Sequence, residues 1–358
     1  MFFKIEARPE PSKAMKFLSP MIAAVLMLVS GIIIFTLLGK GPLTAFHAFF
    51  VEPINDMYGI GELFIKAAPL MLIGTGLAVG FRASIWNIGA EGQLTIGALF
   101  GGYIAIVFHE QSGFYILPLM ILAGALGGVM WAAIPAFLRT VFNANEILVS
   151  LMLNYVAILL LSVLVHGPLK DPFGYGFPQS VLFSESAMLP ILKDGTRLHL
   201  GVVIALIGVI LGYILLQKSF TGYQIQVAGL ADRAAFYAGF KYKKLVWIGL
   251  LTGGVAAGVA GVLEIAGPIG QLLPSVSPGY GYAAIIVAFV GRLNPLGILL
   301  SSLLMALLYL GGESGQMNLD LPAAVTGVFQ GLLLFYLLAT DFLIEYRIIS
   351  SRSSKEAK

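Results

Sequence analysis

FRASIWNIGAEGQL, residues 81–94, is the stretch on which the reading of this chain turns. It sets Arg82, Asn87, Glu91 and Gln93 between apolar runs, with Gly89, Ala90 and Gly92 among the polar groups. Small residues let backbones approach closely, and glycine tolerates an unwound or sharply bent chain. A helix in hydrocarbon is broken only where its freed N–H and C=O groups face protein or water. A polar, glycine-rich break at the opening of an apolar helix therefore points to a pathway through a membrane. The other reading is a turn outside the membrane, with Asn87 capping the next helix.

The rest of the chain supplies the membrane. Of 358 residues, 58% are hydrophobic and only 11% charged, and the mean hydropathy is +0.93. Soluble domains carry about 25% charged residues, so the chain reads as an all-α polytopic membrane protein. Ten spans fit, near 21–39, 63–80, 91–108, 115–138, 146–165, 199–217, 245–266, 281–291, 296–311 and 322–343. The eighth is too short to cross about 30 Å of hydrocarbon and is expected to act as a half helix with the irregular segment before it. The first apolar run is longer than a signal-peptide core and is expected to remain as an uncleaved span.

Basic residues give the orientation. Only Lys40, Lys66, Lys170, Lys193 and Arg197 fall on the outer side if residues 1–20 are cytoplasmic; the other 16 of the 21 Lys and Arg are then inside. An excess of Lys and Arg marks the cytoplasmic side, so both the 1–20 segment and the 344–358 tail are expected there. His47, His109, His166 and His199 are then scattered along outer ends without metal-ligand spacing. Cysteine is absent, which excludes thiol chemistry and disulfides. The dispersed basic residues form no nucleic-acid patch.

Between 21 and 343 a single transmembrane domain is expected, with three connections long enough to matter, one of them the glycine- and proline-rich GPIGQLLPSVSPGYGY at 267–282 before the short eighth span. The outer loop 166–198, with Pro168, Pro172, Pro178 and Pro190, is either a docking surface for an extracytoplasmic partner or a passive connector. The inner loop 218–244 holds a helix-favouring run from Ala231 to Ala238, with Asp232 in its first turn and Gly239 placed to end it. So short a helix needs something to pack on, either a cytoplasmic partner or the ends of this chain's own spans. A weak echo links NIGAEGQLTIGALFG at 87–101 with SPGYGYAAIIVAFVG at 277–291. Glycine-punctuated interruptions of opposite orientation are what an inverted repeat gives, although apolar segments also resemble one another by chance.

Within the spans, Asn154, Glu264 and Gln330 must face the bundle interior or a cavity. Asn154 fits a pathway role or an interhelical hydrogen bond, and Glu91 and Glu264 are placed where they can bind a coupling cation. No catalytic set is found: no G-x-x-x-x-G-K-[ST], no H-E-x-x-H and no G-x-S-x-G. If ATP is used, another polypeptide must bind it.

NIGAEGQ at 87–93, NEILVSLMLNYVA at 145–157 and AGLADRAAFYAGF at 228–240 together resemble the permease subunits of bacterial ABC importers. The branch is that of ribose-type sugar and branched-chain amino-acid permeases, and the first two motifs are closest to the nucleoside (basic-membrane-protein-type) permeases. The similarity runs from about Pro53 to Phe342. It implies a multi-pass subunit of the bacterial plasma membrane, surrounded by lipid and paired with a second permease. It also implies two cytoplasmic ABC ATPases, which bind ATP and Mg, and an extracytoplasmic substrate-binding lipoprotein. The 228–240 segment is then the coupling helix, with Gly229, Asp232, Arg233, Ala234, Tyr237 and Gly239 at the ATPase. Leu230 and Ala231 stand where relatives often carry Asn or Asp. The resemblance sets the two breaks along the central pathway, through Asn87, Glu91, Gln93, Asn154, Tyr280 and Tyr282. The expected cargo is a nucleoside, with ribose or another simple sugar next; the rival from a different class is a stand-alone ion-coupled carrier.

Overall fold

Apolar runs separated by capping residues become helices wherever the backbone can satisfy itself. In the computed structural model, which describes residues 3–8, 12–174 and 176–350, Ser12, Asp56, Asn145 and Ser219 each accept a hydrogen bond from the first turn of the helix they precede. Glycines at positive φ, Gly39, Gly239 and Gly270, terminate others. Nine helices among the described residues are long and apolar enough to cross a membrane, and Tyr280–Val290 is a shorter apolar helix. These ten coincide with the ten expected spans, the short eighth included.

The contacts divide the chain into two compact units, Asp56–Ala306 and Met1–Asn55 with Leu307–Lys358. The second of these begins with strand β1 (Phe3–Ala7), α1 (Lys13–Leu37) and α2 (Pro42–Phe46), the last continuing through a π-turn at His47–Val51. Phe35, Phe46, Phe49, Phe50 and Phe329 form one aromatic cluster there. Polar seams join its first and last helices: the Ser19 hydroxyl donates to Asp341 at 2.7 Å, and Ser30 and Tyr336 share a bond of 2.6 Å. Strand β2 (Tyr346–Ser350) pairs antiparallel with β1, from Phe3 opposite Ser350 to Ala7 opposite Tyr346. This two-stranded ribbon is an addition to the helical body that nothing in the hydropathy indicated. It puts both ends of the described chain on one side of this unit.

The larger unit contains α3 (Met57–Arg82), α4 (Ala90–Val107), α5 (Ile116–Phe142), α6 (Glu146–His166), α7 (Gly201–Tyr213), α8 (Phe220–Leu230), α9 (Asp232–Tyr237), α10 (Tyr242–Glu264) and α11 (Tyr280–Val290). Helix α12 (Pro295–Leu319) follows, its residues past Ala306 belonging to the other unit together with α13 (Ala324–Glu345). Burial separates centre from perimeter: 83% of the membrane window of α3 is buried, against 22% for α6. Helix α10 packs on α3, α4 and α5 at once. It can do so because glycines remove the side chains that would hold those helices apart. Gly249 faces Gly80 of α3, Gly254 and Gly258 face Gly128 and Gly124 of α5, and Gly97 of α4 meets Gly258. Close approach through small residues is the main source of packing attraction where lipid is as apolar as leucine.

At the end of the bundle that carries the 166–198 loop, Arg197 clamps Glu62 of α3 through two bonds of 2.8 and 2.6 Å. His199 lies buried beside this pair. The Gly201 N–H donates to its Nδ1 at 3.2 Å, so the proton sits on Nε2. That nitrogen has no hydrogen-bond partner and faces Gly267. Burial pushes the imidazole down to about 4; Arg197 adds to the depression and Glu62 opposes it.

Two outcomes follow from this packing. Gly258→Leu is expected to cost about 3 kcal/mol or more, because the facing backbones of α4 and α5 cannot retreat. Gly331→Leu, at a position with nothing within 4 Å, is expected to be tolerated; thermal denaturation of the detergent-purified protein compares the two. For His199, the unfolded chain takes up a proton below about pH 6.5 and the folded chain only near pH 4, so stability falls as pH drops through that window. The loss at pH 5 should be about 2 kcal/mol relative to pH 7.5 and should disappear in His199→Asn. Equal pH dependence of the two proteins would remove the assignment.

Candidate functional site

The break between α3 and α4 is built from local rules. Helix α3 ends where Ser84 adopts a left-handed φ of 58°, with the Ile85 N–H returning to the Gly80 carbonyl at 3.0 Å and that of Ser84 to Phe81 at 3.1 Å. The chain then runs irregularly until Gly89 caps α4. Asn87 turns its own backbone, its Oδ1 accepting the Gly89 N–H at 3.0 Å. The same amide pairs reciprocally with that of Gln93, at 3.0 and 3.1 Å. Six residues of sequence thus close a polar loop around the start of a membrane helix.

The freed backbone groups of the break are met by α6. Asn154 Oδ1 accepts the Gly92 N–H at 2.8 Å, and its Nδ2 donates to the Ile88 carbonyl at 2.9 Å. One turn earlier, the Ser150 hydroxyl accepts the Ile88 N–H at 3.2 Å. Ser150 was not singled out from the sequence, although its spacing of four from Asn154 puts both on one helix face.

A second break meets the first. Residues 270–279 run irregularly to Gly279, at φ +95°, and α11 begins with its first N–H groups, those of Gly279 and Tyr280, donated to Ser277 Oγ at 3.1 and 2.9 Å. Glu91 Oε2 accepts the next, the Gly281 N–H, at 2.7 Å, and the Ser277 side chain bonds the same carboxylate. The Glu91 carboxylate therefore lies at the N-termini of two helices, where their dipoles favour negative charge. The two helices diverge from this point. Helix α11 carries Phe289 to stack on Phe81 and Trp86, 5.4 and 5.7 Å away near the end of α3. Helix α4 leads the other way, where Gly102 lies on Leu272. The two stretches of the sequence echo thus touch at their starting points and run apart.

All six residues of the first expected set converge on this junction. Asn87, Glu91, Gln93, Asn154 and Tyr280 are buried within the chain's own elements, whereas Tyr282 is 36% exposed. The Tyr282 hydroxyl lies 3.1 Å from Asn154 Nδ2. Trp86, 37% exposed inside the break, is a further member that the motif reading passed over.

The second expected set lies against the same end of α3, around Arg82–Ser84. Helix α8 stops at Leu230, Ala231 breaks the line at φ −154°, and α9 follows from Asp232. Gly239, at φ +76°, lets Phe240 N–H reach the Ala235 carbonyl and its own N–H reach Phe236, each at 3.0 Å. Leu230, Phe236 and Tyr237 are 80, 79 and 87% exposed. Gly229, Arg233, Tyr237 and Gly239 line a groove of about 1280 Å³ together with Ser84 and Arg139. Ala234 is exposed on α9 beside it. Gly229 packs so tightly on the Arg82 carbonyl that no Cβ fits, and Ser84 Oγ reaches the Gly229 carbonyl at 3.4 Å. The α8–α9 loop therefore rests directly on the end of α3 from which the break begins.

The junction makes a graded prediction. Gly281→Ala should abolish stable protein, because a Cβ there enters the backbone of Glu91. Glu91→Ala is expected to cost about 1–3 kcal/mol by stranding the Gly281 N–H, and Glu91→Gln, which keeps an acceptor, clearly less. Thermal denaturation in detergent ranks the three; equal stability of the Ala and Gln variants at position 91 would break the link between the two helix starts.

Comparison with known proteins agrees with this architecture. The chain is 34% identical to a glucose ABC transporter permease of Haloferax volcanii, over 92% of this chain and 89% of that one. It is 27% identical to a guanosine ABC transporter permease of Bacillus subtilis, over 92% and 94% of the two chains. It is also 27% identical to a nucleoside ABC transporter permease of Lactococcus lactis, over 97% of each. The family described as the permease component of the branched-chain amino acid transport system matches residues 59–338. With both breaks, the junction and the α8–α9 loop inside that match, this chain belongs to that permease family.

Proposed function

We propose that this chain is a permease subunit of an ATP-driven importer, that it forms the pathway together with a second permease, and that its cargo is a nucleoside. The guanosine and nucleoside permeases among its relatives support that cargo. The glucose permease at 34% identity supports a simple sugar as the second reading. The observation that carries the coupling half of the proposal is the seat of Gly229 on the Arg82 carbonyl. A displacement of α9 has a route through α8 to Arg82–Ser84, and from there into the short irregular segment that holds the start of α4.

Leu230, Phe236 and Tyr237, large and uncovered by the chain itself, are the anchors for a cytoplasmic ATPase. ATP and Mg belong to that partner. The excess of Lys and Arg orients the chain with residues 218–244 and both termini in the cytoplasm of a bacterial plasma membrane. The 166–198 side then receives the substrate-binding lipoprotein. Asn87, Glu91, Gln93, Asn154, Tyr280 and Tyr282 act at the pathway, the first five by holding its broken helices in place. The Glu91 carboxylate, already engaged by Gly281 and Ser277, is poorly suited to serve as a free ligand for a coupling ion.

Reconstituted in vesicles with its partner subunits, the complex should require ATP for uptake and be indifferent to collapse of proton and sodium gradients. Arg233→Glu and Tyr237→Ala should lower uptake by about tenfold while leaving membrane insertion intact. Wild-type uptake by both variants would remove the coupling assignment, and gradient-driven uptake by this chain alone would establish the ion-coupled carrier instead.

A further inference from the structure

Helix α11 is a half helix with two unlike faces. Gly281, Ala283, Ala284, Val287 and Ala288 are buried, whereas Tyr282 is exposed and Ile285, Ile286 and Phe289 are partly so. Tyr282 and Phe289 are seven residues apart, which puts them on one side of the helix, about 10 Å from each other along its axis. Trp86 stacks on Phe289 with ring centroids 5.7 Å apart and planes inclined by 20°. The exposed rings at the two ends of this line are therefore Tyr282 and Trp86, at 36% and 37%.

Three observations narrow what passes over them. Each ring stands beside an irregular stretch of backbone, 270–279 or 83–89, and such backbone is not tolerated against lipid. The side on which they open is thus protein or water. Both rings are held: the Tyr282 hydroxyl by Asn154 at 3.1 Å, and the indole by its stack on Phe289 and a tilted contact with Phe81. Both rings are consequently held in place while remaining partly open. The charges nearest the line are turned inward, since Glu91 is engaged by Gly281 and Arg82 Nε donates to the Leu293 carbonyl at 2.9 Å. A surface of fixed, uncharged rings suits an uncharged solute with a flat face.

We propose that Tyr282 and Trp86 are specificity-determining residues, a two-step stacking platform over which the flat ring of a neutral nucleoside moves along α11. The proposal rests on the importer reading above and adds the chemistry by which the permease itself contributes to selection. Stacking on an aromatic face is tolerant of base identity and weak enough at each step to release the solute to the next. The C–H face of a sugar ring offers the same contact less strongly, so the test carries both kinds of solute.

The test uses the complete complex, this permease with its partner permease, ATPase and loaded receptor, in vesicles with ATP inside the compartment that faces α9. Uptake of guanosine, uridine and ribose is compared for wild type, Tyr282→Leu, Tyr282→Phe and Trp86→Leu, with co-purification of the second permease as a parallel readout. Both leucine variants should lower guanosine uptake by about tenfold, uridine less and ribose least, with assembly intact. Tyr282→Phe, which keeps the ring and loses the bond to Asn154, should recover most of what Tyr282→Leu loses. Nucleoside uptake within twofold of wild type in both leucine variants overturns the platform while leaving the importer reading in place. Loss of the second permease from the purified complex also overturns it, by placing the rings in a subunit interface. Equal losses for guanosine and ribose overturn the assignment to the base. Wild-type uptake that needs no ATP sinks the importer reading, and the pattern across the variants still decides the platform.

Discussion

A helix broken inside an apolar slab exposes peptide groups that have no water to turn to, and each one left unsatisfied costs several kcal/mol. The larger unit of this protein is organised around meeting that cost. Two breaks, after α3 and before α11, are brought to one point, and the side chains there answer one another's backbone. Glu91 serves Gly281, Asn154 serves Gly92 and Ile88, and Ser277 serves the first N–H groups of α11. The polar residues of FRASIWNIGAEGQL are therefore first of all the reason that a broken helix can exist here. Any effect on a passing solute is exercised through the geometry they hold.

That geometry needs close neighbours. Asn154 reaches the Gly92 N–H because Gly92 lets α6 approach, and Gly281 can sit on Glu91 only because neither carries bulk at the contact. The same logic extends outward through α10, whose glycines bring α3, α4 and α5 within backbone contact. Membrane packing has little hydrophobic drive between helices, so small residues and interhelical hydrogen bonds carry the association. The two devices coincide at the junction: glycine sets the distance and the polar side chains use it.

Much of this was legible in the sequence, for reasons that also explain what was not. Apolar runs of about 20 residues announce spans, because hydrocarbon thickness fixes their length, and the 11 residues of Tyr280–Val290 stood out as too few. Gly239 was readable as the end of a short helix, because a left-handed residue there needs no partner to identify it. Pairings across distance were not readable. Glu91 and Gly281 are 190 residues apart; the echo linked their two stretches but named no contact between them. The strand pairing of residues 3–7 with 346–350 joins the two extremes of the described chain and has no hydropathy signature. The aromatic turn around Phe46–Phe50 escaped for a different reason: Pro42 and the π-turn interrupt the period that would have marked a helix. Trp86 looked like an ordinary apolar residue, and Tyr282 entered the pathway set only through the family resemblance, since only the fold decides which of two faces a half helix shows.

The arrangement also bears on how events at the α8–α9 loop can reach the junction. From Gly229 to the junction the route is short: backbone against the Arg82 carbonyl, a left-handed turn at Ser84, then Ile85 and Trp86 leading to the Asn87 amide. On the proposed coupling, this route carries a displacement of α8 inward. Moving α8 therefore shifts the start of α4, and with it the carboxylate on which α11 is seated. Because α4 and α11 run in opposite directions from that seat, one displacement changes the two sides of the bundle in opposite senses. On the importer reading, this is the geometry needed for opening a pathway at one end while closing it at the other, and two short breaks supply it.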